Sequence, residues 1–356
     1  CVTMSRDQAL SKIDNYSKNG EFEAELARRI AFKTESNLAG CEAALQAYLD
    51  DELVPCLTDI GFDCEISPNP RRDAGPFLVA RRIEGDDLGL RDHWQLTDRL
   101  ICRQAMLQSP GAACGAIHLV EYDTAAETVR QDAAVFDLCP KNLDIYVDDL
   151  PRRMAELAAR GVRFRNDQYS EAVSPDGVHF REIHLAGHDD INIVLLQIMG
   201  GDALPTSSGF YGVGPLVCIV SDPAAEKAFY RDVMGLSLAH DNILAGPEIE
   251  QMIGLPAGCA LEVSIWAQIG QSLGEVELVT YQGAQGTNRY PRAIPGARGV
   301  THLNWWVEDM ADWVDHLAQL NVPFKRSRLS SRLIQSSESV LLHSPAGLRI
   351  EVHAQA

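Results

Sequence analysis

The chain repeats itself without gaps, and this restricts its fold more than any other feature. Lys141-Asn-Leu-Asp-Ile-Tyr-Val-Asp-Asp149 lies on Thr301-His-Leu-Asn-Trp-Trp-Val-Glu-Asp309, so that Leu143 meets Leu303, Val147 meets Val307 and Asp149 meets Asp309. The agreement continues through Leu157 and Leu317, Val162 and Val322, and Phe164 and Phe324. In the later copy His302, Asn304 and Trp306 alternate with Leu303, Trp305 and Val307, the period of a strand. Asp309 then opens an amphipathic helix carrying Trp313, Val314, Leu317 and Leu320 at helical spacing, which ends before Asn321-Val-Pro323. A second gapless pair sets Gly115-Ala-Ile-His-Leu-Val-Glu-Tyr122 on Gly274-Glu-Val-Glu-Leu-Val-Thr-Tyr281, which places His118 on Glu277. Gly214 to Asp222 starts a further strand whose helix, Ala224 to Met234, ends at Gly235. The repeating units are therefore roughly 92–123 (incomplete), 140–199, 213–282 and 299–353. Each complete one reads strand, helix, strand, strand, strand. The stretch Asp202-Ala-Leu-Pro-Thr-Ser-Ser-Gly209, rich in turn formers, is the expected linker between halves.

A chain of 356 residues, 46% apolar and 23% charged, buries a real core and holds two ordinary domains or more. The net charge of −19 argues against nucleic acid or an anionic membrane as partner. No apolar run approaches the ~20 residues of a membrane helix. Nine cysteines without CxxC pairs suggest reduced thiols and a cytoplasmic protein. Met4-Ser-Arg reads as an ordinary start, so Cys1 is not expected to carry a lipid.

Val217-Cys-Ile-Val-Ser-Asp-Pro-Ala-Ala-Glu-Lys-Ala-Phe-Tyr-Arg-Asp-Val-Met-Gly-Leu236 resembles the opening of a βαβββ module of the vicinal oxygen chelate superfamily, which includes glyoxalase I, extradiol dioxygenases and the bleomycin- and fosfomycin-resistance proteins. Ser344-Pro-Ala-Gly-Leu-Arg-Ile-Glu-Val352 resembles its closing hairpin and last strand. The resemblance covers about 92–353 and implies an α+β fold of βαβββ modules paired into two glyoxalase-like halves behind an N-terminal helical segment. The expected domains are 1–90, 91–200 (first module incomplete), a linker 201–212, and 213–356 with the candidate site.

Residues 1–90 do not repeat. Ser5 to Tyr16, Gly20 to Lys33 and Ala39 to Ile60 read as helices, the last with a Leu45, Leu49, Leu53, Leu57 stripe. Cys64-Glu-Ile-Ser67 and Phe77 to Ile83 read as strands. Ala31-Phe-Lys-Thr-Glu-Ser36, the long helix and Phe77-Leu-Val-Ala-Arg-Arg-Ile83 resemble the start of aminoacylase- and deacetylase-type zinc metallopeptidases, without their His-x-Asp metal motif. The first module lacks its own opening strand and helix, and Phe77–Ile83 with the Ala39–Ile60 helix are expected to fill that place.

In the superfamily two modules close into a cup whose metal ligands come from the first and last strands of each. For an expected C-terminal pair those positions are Pro215, Glu277, His302 and Glu351. The resemblance thus implies His302, Glu351 and Glu277 as ligands to a divalent ion such as Zn, Mn, Fe or Ni, with Glu277 and Glu351 catalytic and Glu277 available as a base. Pro215 cannot ligate, which weighs against ring cleavage. Trp306, Trp266 and Tyr281 are the expected pocket residues, although aromatic side chains carry cores as readily as pockets. Of the positions in the other half, His118, Asn142 and Val194, only the first ligates well, and His179, His184 and His188 read as a surface cluster. The implied activity is metal-dependent isomerase or lyase chemistry on a small oxygen-chelating substrate. The alternatives are an extradiol-type dioxygenase and a metal-free small-molecule binding protein. Modules can close within one chain or across a homodimer.

Overall fold

The computed structural model describes residues 11, 14–32, 34, 40–59, 62–67, 77–81, 83–84, 86–109, 112–200, 209–331, 333–334 and 336–354. Most of the Ser5–Tyr16 helix and all of the 202–208 linker lie outside these residues. The chain forms two compact units: Cys1–Asp86 with Ile101–Leu107 and His118–Asp123, and Asp87–Leu100, Gln108–Ile117 and Thr124–Ala356.

In the first unit α1 (Glu21–Ile30) precedes a continuous helical run of α2 (Glu42–Tyr48), a π-turn at Leu49–Leu53 and α3 (Val54–Asp59). Pro55 has no N–H to donate and its ring crowds the preceding turn, so the helix widens just before it. Arg28 and Arg29 both donate to the buried Glu52, at 2.7, 2.8 and 3.1 Å, and hold its carboxyl down at about 2. Strand β1 (Asp63–Ser67) forms an antiparallel hairpin with β2 (Phe77–Arg81). Strands β3 (Ile83–Glu84), β4 (Ile101–Leu107) and β5 (Ile117–Tyr122) form a separate sheet. The N-terminal stretch thus does join the incomplete first module: Ile83–Glu84 pairs with β4, whereas Phe77–Arg81 pairs with β1 in the hairpin.

The second unit holds the three complete modules. Strands β6 (Pro140–Val147), β7 (Ser170–Val173), β8 (His179–Ala186) and β9 (Asn192–Ile198) follow α4 (Leu88–Trp94) and enclose α5 (Leu150–Ala159). Next come β10 (Phe210–Ile219), α6 (Pro223–Ala228), β11 (Ser237–Ala245), α7 (Pro247–Ile253), β12 (Ala260–Ala267) and β13 (Glu275–Gln282). The last module is β14 (His302–Val307), α8 (Met310–Gln319), β15 (Lys325–Arg328), β16 (Glu338–His343) and β17 (Arg349–Ala354). The aspartates matched by the repeat have one job: the side chains of Asp149, Asp222 and Asp309 each accept a backbone N–H of the first turn of the following helix.

Module pairing differs from the expectation. β10 binds β6 antiparallel, giving one eight-stranded sheet in the order β11-β12-β13-β10-β6-β9-β8-β7, while β14-β17-β16-β15 form a sheet of their own. The third module therefore closes onto the second, not onto the fourth, because β10 gives its free edge to β6. The third and fourth modules instead share a core. Leu216, Cys218, Val276 and Leu278 from one sheet, and Val340, Leu342, Ile350 and Val352 from the other, lie in one buried cluster with Phe229, Tyr230, Met310 and Leu317. Strand alternation sends the intervening residues to the opposite faces of both sheets. Helix α7 packs on that other face of the eight-stranded sheet, placing Ile249, Met252 and Ile253 against Val217, Ile219, Leu261 and Val263.

Candidate functional site

The face of the eight-stranded sheet that carries α7 collects ionisable side chains. Register between β6 and β10 slips between Val217↔Asn142 and Cys218↔Pro140, so Lys141 is an extra residue at a bulge, which re-aims its side chain. Its ammonium, 3% exposed, donates to the Tyr281 hydroxyl on β13 at 2.8 Å. Burial, with Arg130 and Arg165 near by, lowers the Lys141 pKa to about 7. Further along β6 the Tyr146 hydroxyl reaches over β10 to Glu275, donating at 2.8 Å. That reach depends on Gly214, where a Cβ would lie 2.5 Å from the Tyr146 ring.

Between these two bonded pairs lie Asp144 and Glu277. Asp144 is 7% exposed and its Oδ1 has no hydrogen-bond partner. Burial first, then the charges of Glu277 and Glu182, push its carboxyl well above the ordinary range. Glu277 is enclosed on most sides but keeps a partly exposed surface. Burial and the neighbouring Glu182 raise it to about 8. On β8 and β9 a bonded chain completes the face. Arg165 Nη2 donates to Asn192 Oδ1 at 3.3 Å, and Asn192 Nδ2 bonds Asn142 Oδ1 at 2.9 Å and His184 Nδ1 at 3.0 Å. His184 Nε2 in turn meets Glu182 Oε1 at 3.0 Å. His184 is therefore buried rather than part of a surface cluster. A cleft of about 580 Å³ shares Arg165 and is lined also by Asp167, Glu171, Glu248 and Gln251.

His302 and Glu351 lie in the other sheet. β14 and β17 run parallel, with Asn304 opposite Glu351, and α4 covers their face. Glu351 is fully buried and saturated: Oε1 accepts from Trp94 Nε1 at 3.0 Å and from Arg349 Nε at 2.7 Å, while His93 Nε2 sits 3.1 Å from Oε2. His302, Arg349 and His93 outweigh the effect of burial and hold the carboxyl well below its ordinary range. His302 itself packs edge-on against Trp94, with ring centroids 5.2 Å apart, and burial depresses its pKa. His353 bonds Asn304 Oδ1 at 2.9 Å, and burial lowers it to about 4.

The three expected metal ligands are thus divided. His302 and Glu351 are brought together, but Glu277 lies on the far side of the core that the two sheets share. The residues present do not fit a divalent ion there. Both Glu351 oxygens are already occupied by N–H donors, with a guanidinium in contact, and a cation would have to displace them. Among the described residues no three His, Cys, Asp or Glu side chains are arranged to hold a metal. Of the expected pocket residues, Tyr281 is on the α7 face and Trp306 is 42% exposed beside His353. Trp266 is a core residue, buried with its indole N–H donating to Ser264. Lys141, Asp144, Tyr146 and Glu182 escaped the sequence reading, since charges alternating with apolar residues read as a solvated face. His118, on β5 of the other unit, is bonded to Gln104 at 3.0 Å.

No family model matches the sequence, and no curated protein matches it. Solved structures do. A glyoxalase I mutant from Zea mays is 12% identical over 77% of this chain and 92% of its own, with a TM-score of 0.48. A glyoxalase family protein from Bacillus cereus is 15% identical over 44% and 97%, with a TM-score of 0.34. An antibiotic binding protein from Streptomyces is 14% identical over 40% and 95%, with a TM-score of 0.27. The glyoxalase-type fold rests on the strand order and register described above. The metallopeptidase resemblance of the first ninety residues finds no support in these matches. Among the described residues no helix is long and apolar enough to cross a membrane.

Proposed function

We propose that the chain is a small-molecule enzyme of glyoxalase-type fold whose working site is the α7 face of the eight-stranded sheet. It carries out isomerase- or lyase-type proton transfer on a small oxygen-bearing substrate, with no metal assigned a step. The observation that carries this reading is the buried Asp144 carboxyl, whose Oδ1 has no hydrogen-bond partner, held with the partly exposed Glu277 between two bonded pairs on one face of the sheet. Structure maintenance does not call for such an arrangement, because a buried carboxyl without a donor costs stability and persists where function uses it. Glu277 is the acid–base group. It keeps a partly exposed surface, and a carboxyl near 8 is a stronger base than an ordinary glutamate and exchanges a proton close to neutral pH. Lys141, Tyr281 and Asp144 set its electrostatic surroundings. A metal-free binding protein is the second reading, favoured by how little of Asp144 and Lys141 meets solvent.

The test is exchange of carbon-bound protons for deuterium in a panel of small α-hydroxy ketones and acids, followed by proton NMR in deuterated buffer. The reading expects at least one compound whose exchange is catalysed by the wild type and lost in Glu277→Gln, with the melting temperature retained. Compounds that bind this face, with no exchange in any, would favour the binding protein. Exchange undiminished by Glu277→Gln would contradict the assigned role.

A further inference from the structure

We infer that Glu226 is a proton-dependent latch between the third and fourth modules, docking the turn that joins β16 to β17 when neutral and releasing it when ionised. Glu226 lies in α6 and is 1% exposed. Its Oε1 accepts from the Ser344 hydroxyl at 3.0 Å and from the Ala346 N–H, both on that turn. The turn is closed on itself: the Ser344 N–H donates to the Leu348 carbonyl and the Gly347 N–H to the Ser344 carbonyl, each at 2.9 Å. Gly347 supplies the φ of +99° that the turn requires. Leu348 and Ala346 then pack into the core that the two modules share. Glu226 is therefore a polar fastening at the edge of an apolar interface, and its carboxyl reaches water when the turn undocks.

The charge balance makes this fastening conditional. Among the described residues Glu226 has no basic partner, and a carboxylate buried without a counter-charge is disfavoured against one in water. Burial raises its pKa to about 7, against the pull of its two hydrogen bonds, and Asp222 at the start of the helix adds a like charge. The other titratable groups facing it are Cys218 on β10, Tyr230 in the helical turn after α6 (Phe229–Val233) and Tyr290, which Gly347 approaches. Burial pushes all three well up, so between about pH 5 and 8 Glu226 is the member of this group whose charge changes. The docked carboxyl keeps its proton after a released one has lost it. Docking is thus favoured in full below about 4.5 and loses that advantage as pH rises to about 7.

Hydrogen exchange of the Ala346 amide in the full chain tests the latch, followed by NMR from about pH 5 to 8 and divided by the intrinsic exchange rate. Protection is expected to fall about tenfold per pH unit between about pH 5 and 7 and then to level off. Glu226→Gln keeps the acceptor and loses the titration, so its protection should not vary with pH, and a melting curve confirms that it folds. His343→Gln, beside the turn but on the opposite face of β16, should leave the wild-type slope intact. Wild-type protection that stays flat over this range would overturn the latch whatever the variants do. So would a slope that survives Glu226→Gln, or one that vanishes in His343→Gln.

Discussion

Glu277 and Glu351 occupy the same place in two copies of one module, the third residue of a final strand, yet their surroundings are opposite. Glu351 is fully buried and receives N–H groups from Trp94, His93 and Arg349. Glu277 receives none from the described residues and sits among Glu182, Glu275 and Asp144. One carboxyl is held ionised and the other is kept protonated near neutrality. The difference arises from what covers each sheet. Helix α4 brings an indole and an imidazole to Glu351, whereas α7 brings Ile249, Met252 and Ile253. A position in a repeat fixes where a side chain points but not whether it is satisfied, and a buried carboxyl left unsatisfied costs stability.

The comparison is broken most severely by removing the satisfied member. Glu351→Gln leaves a buried guanidinium and indole short of an acceptor and should cost about 3–5 kcal/mol, read as a large fall in the chemical-denaturation midpoint. If the midpoint held, Glu351 would not be structural. Next is the pH response of the other member. The folded state keeps the Glu277 proton after the unfolded chain has lost it. This contribution to stability is full below about 4.5 and is lost as pH rises toward about 8. Glu277→Gln should therefore remove a decline of up to about 1.4 kcal/mol per pH unit between pH 5 and 7, when its denaturation curves are subtracted from those of the wild type. A difference that does not change with pH would mean an ordinary carboxyl.

Smaller effects sharpen the contrast. Gly214→Ala puts a methyl 2.5 Å from the Tyr146 ring and should cost about 1–3 kcal/mol. Displacing Tyr146 also takes a donor from Glu275, so the variant should weaken ligand binding beyond what its stability loss explains. Asp144→Asn removes an unpartnered buried acid and should stabilise the fold by about 1 kcal/mol above pH 8, at the expense of binding. A destabilised Asp144→Asn variant would indicate a structural carboxylate.

Much of this architecture was legible in the residues. The gapless match of Asn142 and His302 located β6 and β14, and the repeated aspartates marked helix starts that the structure shows as side-chain caps. The long N-terminal helix was legible too, apart from the widened turn ahead of Pro55. Module pairing was not, because the choice of β6 or β14 as neighbour of β10 depends on edge hydrogen bonds and a bulge at Lys141, not on apolar period. The grouping of the candidate residues was not legible for the same reason: the sequence set Glu277 beside His302 and Glu351, but the sharing of a core by β13 and β17 put those two on the far side. Asp144 and Tyr146 alternate with Leu143, Ile145 and Val147 as any half-exposed strand would, and only the covering helix shows that their face is enclosed.

The most direct test of the central claim is a carboxyl-carbon NMR titration of the folded protein, with Glu277 and Glu351 assigned from their Gln variants. Glu277 should titrate near pH 8 and Glu351 should stay ionised to the acid limit of the fold. Titration of both at ordinary glutamate values would contradict the account, since it would make the two copies electrostatically alike and leave the α7 face without its distinguishing acid.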